Sequence, residues 1–330
     1  MSGGMLPYVV SVATMAAIYA VAALGLSLQF GIAGLFNVGC AGFFAAGAYA
    51  TAIVTGPPYS VGLGGFGLPV VVGLAAAAGV AALLALLVAG MVLRLSGDFL
   101  AIASFGFAVA LQVTAINASA VTGGPGGLAG IPIPLRAGTG LQGAVLWLGV
   151  CLLVAGLAYA LLQTLDTAPW GRTLRAVSED PEAAAATGKN VARFRIEAFV
   201  IGAALTGLAG GLYAHNTGFV SPQDFLPVLT FQFYAMVIVG GAGRHAGALL
   251  GTVVVWLLWG GSGQALATVL PVTMQAKAGA IRVIVIATAL LAILLLRPSG
   301  LLAERVGAGR NRPVSRNNAW TGTGNDGNAG

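Results

Sequence analysis

Charge is what this chain has least of. Its first 93 residues hold no Asp, Glu, Lys or Arg, and charged residues make up 7% of the whole, against about a quarter in an ordinary soluble domain. No water-soluble domain covers that much uncharged surface, so lipid is the solvent for most of the chain. Apolar–polar alternation is missing too: apolar stretches of about 15 to 25 residues run unbroken and recur as far as Leu296. That excludes an outer-membrane barrel, whose strands are apolar only on the face that meets lipid.

Ligating and catalytic side chains are equally scarce. Cys40 and Cys151 are the two cysteines, and both fall inside apolar runs, where a cysteine is a small buried hydrophobe rather than half of a disulfide framework. His215 and His245 are the two histidines; the topology below puts them on opposite sides of the membrane, so they share neither a metal nor a catalytic dyad. The carboxylates Asp98, Asp166, Glu179, Asp180, Glu182, Glu197, Asp224, Glu304 and Asp326 stand at the ends of apolar runs, in loops or in the tail. Ion-coupled carriers place ionisable groups at mid-membrane, so this chain is expected to draw its energy from elsewhere. A nucleotide loop is absent as well, because Gly188-Lys189 is followed by Asn190 and not by Ser or Thr. The chain is therefore expected to be no enzyme and to hold neither cofactor nor metal. No basic residue precedes the first apolar run, so that run is kept as a span and not as a cleaved signal.

What is present is an all-α polytopic membrane protein. Nine candidate crossings emerge, 8–30, 36–54, 69–93, 99–117, 141–162, 198–214, 229–241, 246–258 and 279–296. The seventh and eighth are short and flank Gly240 to Arg244, so they are candidate half-crossings and the count ranges from eight to ten. With the N-terminus outside and the C-terminus cytoplasmic, the inner side receives Arg94, Arg172, Arg175, Lys189, Arg193, Arg195, Arg244, Arg297, Arg305, Arg310, Arg312 and Arg316. The outer side receives Arg136, Lys277 and Arg282. That twelve-to-three division satisfies the positive-inside rule. The net charge of +6 then needs no nucleic acid, since basic loops and a basic tail near anionic lipid account for it. Residues 1–302 read as the transmembrane domain, and 303–330, rich in Arg, Asn, Gly and Ser, as a disordered tail.

The one sizeable inner loop, 163–195, carries a compact helix signal. Asp180 suits the N-cap, Pro181 the first helical position, Glu182 the positive helix end, Ala183 to Ala186 the body and Gly188 the stop. So short a helix persists only when packed on something. The alternative reading is a solvated turn.

Gly31 to Phe44 (GIAGLFNVGCAGFF), Arg94 to Ile102 (RLSGDFLAI), Thr122 to Ile131 (TGGPGGLAGI), Gly171 to Ala186, Ala198 to Ala214, Val239 to Gly243, Gly247 to Gly251 and Arg297 to Leu302 form a series that runs in order from about Gly25 to Leu302. In these stretches the chain resembles the LivM-type permeases of branched-chain amino-acid ABC importers. The resemblance implies a multi-pass permease of a bacterial inner membrane. It also implies a second homologous permease, two cytoplasmic ATPases, an extracytoplasmic binding protein and a small-molecule substrate as partners. Gly171, Arg172, Arg175, Glu179, Asp180, Glu182, Ala183, Ala184, Ala185, Ala186 and Gly188 would then couple to an ATPase, with Ala184 and Ala185 as the small-residue face that it grips. Asn37, Phe105, Gln112 and Asn117 are the candidates to line the pathway, although intramembrane amides more often bond helix to helix. Competing readings are a permease of the same type for urea, short amides or other amino acids, and a carrier or channel acting alone.

Overall fold

The computed structural model describes residues 5–57, 65–92, 98–135 and 140–269, with isolated positions between 281 and 302. Arg94, Arg136, Lys277, Arg282, Arg305, Arg310, Arg312, Arg316 and the tail 303–330 lie outside the described residues, as does most of the ninth run. In chain order the elements are α1 (Met5–Leu26), α2 (Cys40–Thr55), α3 (Val70–Val92), α4 (Asp98–Asn117), α5 (Ser119–Thr122), β1 (Leu128–Ala129), α6 (Gly140–Thr167), α7 (Pro169–Glu179), α8 (Pro181–Ala186), α9 (Val191–Thr217), β2 (Phe219–Val220), α10 (Val228–Gly240) and α11 (His245–Val269). A π-helical turn, Ser27–Ile32, extends α1. Helix dominates because lipid offers backbone N–H and C=O groups no partner, so each segment must satisfy its own. Among the described residues one antiparallel ladder forms, β1 with β2, Leu128 opposite Val220.

Five described helices are long and apolar enough to cross a membrane: Leu6–Ile32, Val70–Met91, Phe99–Asn117, Gly140–Thr167 and Val191–Thr217. The bent pair of α10 and α11, angled at 116°, makes six if counted as one span. The difference between this count and the nine crossings expected from the sequence has three sources. The second run forms only the 16 residues of α2, about 24 Å at 1.5 Å per residue, short of a hydrocarbon core of about 30 Å. The seventh and eighth runs are the bent pair, and the ninth is described only at isolated positions.

Three helices form the centre: α1, α2 and α9, and 12 of the 16 residues of α2 are buried. In α1 and α9, 61% of the most apolar window is buried, against 22% in α3 and α4, which leaves the latter pair facing outward. Close approach explains the inner packing. A Cβ on Gly47 of α2 would strike the Gly207 carbonyl of α9, so these helices meet backbone to backbone, the arrangement membrane helices use where no hydrophobic force drives them together. Tyr19 of α1 meets Phe233 of α10 and Trp256 of α11 edge to face, at centroid distances of 5.6 and 4.7 Å, which fastens the bent pair to the centre. α1 also packs along α6, while α6 and α11 make little contact with each other.

Candidate coupling and translocation site

The polar segment after α6 folds into two helices where the sequence suggested one. α7 is the helix that was missed. It turns back beneath the end of α6 at Gly171, whose added Cβ would lie 2.5 Å from the carbonyl oxygens of Leu165 and Asp166. Leu174 and Val177 face inward with Gly171, while Arg172, Arg175 and Glu179 face out. Arg175 reaches back to Asp166 at 2.6 Å. Trp170 Nε1 donates to Glu197 at 2.7 Å, and Arg193 Nε donates to the other oxygen of the same carboxylate at 2.7 Å, which ties α7 to the start of α9.

α8 has the capping that its residues predict. Asp180 Oδ1 accepts from the backbone N–H groups of Glu182 and Ala183 at 3.0 and 2.9 Å, and Gly188 takes φ +79° just beyond the last turn. Glu182, Ala183, Ala185, Ala186 and Gly188 are exposed. Ala184 is not: it is 7% exposed and turned toward the body of the protein. The expectation that Ala184 and Ala185 form one outward face is corrected accordingly. The helix repeat turns Ala184 inward and presents Ala183, Ala185 and Ala186 instead.

The last turn of α7 touches the break between α1 and α2. Gly34 there has φ +65°, and a Cβ on it would sit 2.5 Å from Ser178 Oγ. Three residues on, Asn37 is wholly buried. Its Nδ2 donates to Gln29 Oε1 at 2.9 Å, its Oδ1 accepts from the Gly39 N–H at 2.9 Å, and its carbonyl accepts from Tyr234 at 3.0 Å. Gln29 in turn donates to the Phe199 carbonyl in α9 at 2.7 Å. Ser104 of α4 accepts from the Val38 N–H at 3.0 Å, and Thr230 of α10 accepts from the Ala41 N–H at 2.9 Å. The break thus leaves backbone groups without helical partners and borrows replacements from two other helices, α4 and α10. Asn37 is spent inside this network and does not present its amide to a cavity.

The remaining pathway candidates all lie on α4. Phe105 is 38% exposed. Gln112, seven residues on and so on the same helix face, is half-buried and donates to the Pro222 carbonyl at 3.4 Å. Asn117 is exposed and its amide turns back to the Val113 carbonyl at 2.8 Å. The structure brings none of these three to Asn37. Sequence reading missed Gln29, Ser104, Thr230 and Tyr234; a signal lay in the lone amide of Gln29 inside an uncharged run. His215 Nδ1 donates to the Pro132 carbonyl at 2.8 Å and His245 pairs with Ser27 at 2.7 Å, so the histidines occupy separate surroundings. Among the described residues no three His, Cys, Asp or Glu side chains gather as a metal site.

Residues 8–297 match the family model described as branched-chain amino acid transport system / permease component. The chain is 34% identical over 268 residues to the high-affinity branched-chain amino acid transport system permease protein LivM of Escherichia coli K12, covering 74% of this chain and 61% of that one. It is 33% identical over the same length, with the same coverage, to LivM of Salmonella typhimurium. A shorter match, 32% over 117 residues, covers 34% of this chain and 32% of the fructose import permease protein FrcC of Rhizobium meliloti. No solved structure matches significantly. The chain spans 61% of the length of the two LivM proteins that it matches. The family match takes in the α1–α2 break, the α7–α8 segment and the bent α10–α11 pair together, and the chain belongs to the branched-chain amino acid transport permease family.

Proposed function

We propose that this chain is the permease subunit of an ATP-driven importer of branched-chain amino acids in a bacterial inner membrane. It pairs with a second homologous permease, two cytoplasmic ATPases and an extracytoplasmic binding protein, and has no catalytic or nucleotide site of its own. Its N-terminus lies outside, its C-terminus and the 163–195 segment lie inside, and its crossings number about nine. The observation that carries this reading is the family match across residues 8–297, and LivM is named in both long-matching relatives.

The packing of α7 and α8 supports a coupling route. α8 offers an exposed small-residue surface to an ATPase, and α7 stands between it and Gly34, next to the Asn37 network. A displacement of α8 is carried by α7 to the break between α1 and α2. Phe105 and Gln112, on one face of α4, border the pathway in the assembled importer, while Asn37 positions the break.

Liposomes holding this chain, the second permease and the ATPases are expected to accumulate leucine only with ATP and binding protein present. Leucine accumulation by this chain alone under a proton or sodium gradient overturns the reading. A Lys189→Cys variant is expected to resist a membrane-impermeant maleimide on intact cells and to react once the membrane is opened; labelling of intact cells overturns the orientation.

A further inference from the structure

α6 and α11 both rest on α1 yet barely touch each other, and the gap between them is a cleft with two chemically distinct parts. One part is an apolar trough of about 590 Å³, floored by α1 at Val12 and Ala16 and walled by Leu152 and Gly156 of α6 and Leu249 and Val253 of α11. At Tyr159, which borders both parts, the cleft passes into a polar cavity of about 370 Å³ lined by Gln163, Asp166, Arg175, Arg244 and His245. The gradient is written twice. Along α6 the lining runs Leu152, Gly156, Tyr159, Gln163, Asp166, one helical turn at a time, from apolar to charged. Along α11, in the reverse chain direction, it runs Trp256, Val253, Leu249, Ala246, His245.

The cavity is cationic. Arg175 is matched by Asp166, and among the charged residues that line the cavity Arg244 has no such match. The N-terminus of α11 opens at the same place, so its first-turn N–H groups, which lack partners within the helix, add positive potential. The cavity also lies at the end of the bundle that carries α7, on the cytoplasmic side in the orientation proposed above, where anionic lipid is concentrated. Ile284, Leu291, Leu295 and Leu296 of the last apolar run are exposed and are not among the residues that line the trough.

We propose that this cleft seats an anionic glycerophospholipid, with an acyl chain in the trough and its phosphate against Arg244. The bound headgroup bridges α7, through Arg175, to the α10–α11 turn, and so braces the segment that meets the ATPase. The choice of leaflet rests on the proposed orientation; the lipid preference does not.

The test is native mass spectrometry of the purified full chain with phosphatidylglycerol or phosphatidylcholine added, together with quenching of Trp256 by the same lipids brominated on the acyl chain. Trp256 lines the trough, and a Trp256→Phe variant isolates its emission. Phosphatidylglycerol is expected to be retained in preference and to quench Trp256. Arg244→Gln is expected to cut the preference by roughly fivefold, the weight of one basic residue beside an anionic headgroup. Gly156→Phe is expected to abolish quenching without unfolding the chain, because nothing lies within 4 Å of a Cβ at that position. Equal retention of the two lipids, or unchanged quenching in Gly156→Phe, overturns the proposal. Displacement of phosphatidylglycerol by inorganic phosphate alone identifies a free-anion site and overturns the lipid assignment. Loss of bound lipid when the second permease is added identifies the trough as a subunit interface and likewise overturns it. None of these readouts involves transport, so failure of the import reading leaves them standing.

Discussion

The segment 163–195 and the segment 27–44 touch each other at Ser178 and Gly34, yet they hold their shapes by opposite means. The first is largely exposed and is fixed by local contacts: Asp180 caps the helix that begins one residue later, and Arg193 bonds Glu197 four residues on. The second is enclosed and is fixed by distant ones. Gln29 finds its acceptor 170 residues away at Phe199, and the carbonyl of Asn37 finds its donor 197 residues away at Tyr234. Water tolerates a loose polar group and lipid does not, so a broken helix inside the bundle must recruit partners from wherever the fold brings them. The two regions share a contact but no common set of hydrogen bonds, so in the proposed coupling route a shift of α8 moves the break without unmaking its bonds.

The largest expected effect tests the enclosed half of that contrast. Asn37→Leu leaves Gln29 Oε1 and the Gly39 N–H without their partners, and each orphaned buried group costs about 1–3 kcal/mol. The detergent-solubilised variant should lose thermal stability sharply and yield little folded protein. A wild-type melting profile means that the network is incidental to the break.

That contrast also governs what the sequence reveals. Asp180, Pro181, Glu182 and Gly188 announce α8 because every signal lies within one short helix. α7 escapes notice because only Leu174, Val177 and Gly171 mark its inner face among charged neighbours, which makes it look like loop. The apolar runs locate α1, α3, α4, α6 and α9, but the eighth run, ended at Leu258, stops short of α11, which continues to Val269. The break after α1 is visible as a Gly-rich stretch, whereas its partners Ser104, Thr230 and Tyr234 are invisible, because nothing local distinguishes a bridging hydroxyl from an idle one.

A middle-sized effect separates the two faces of α8. Ala184 is buried and Ala185 exposed, so the same bulky substitution should do different damage at adjacent positions. Ala184→Trp overfills the contact with the protein's own body, at about 1–3 kcal/mol, and should lower both stability and yield. Ala185→Trp should leave the melting temperature unchanged and abolish leucine uptake and substrate-stimulated ATP hydrolysis in the assembled importer. Wild-type uptake by Ala185→Trp removes α8 as the coupling surface. Equal stability of the two variants contradicts the burial of Ala184.

The smallest effect asks how local the local half is. Asp180→Ala removes both bonds to the N–H groups of Glu182 and Ala183, and a lost N-cap of this kind costs about 1 kcal/mol. The cost falls on six residues that are too few to form a helix alone, so α8 should fray while the membrane-embedded part melts as before. Amide hydrogen exchange over residues 181–188 should therefore speed up while exchange around Asn37 is unaltered, and ATP hydrolysis should respond more weakly to substrate. If exchange rises at both places, the two regions form one cooperative unit. The Ser178–Gly34 contact would then have to carry stability as well as motion.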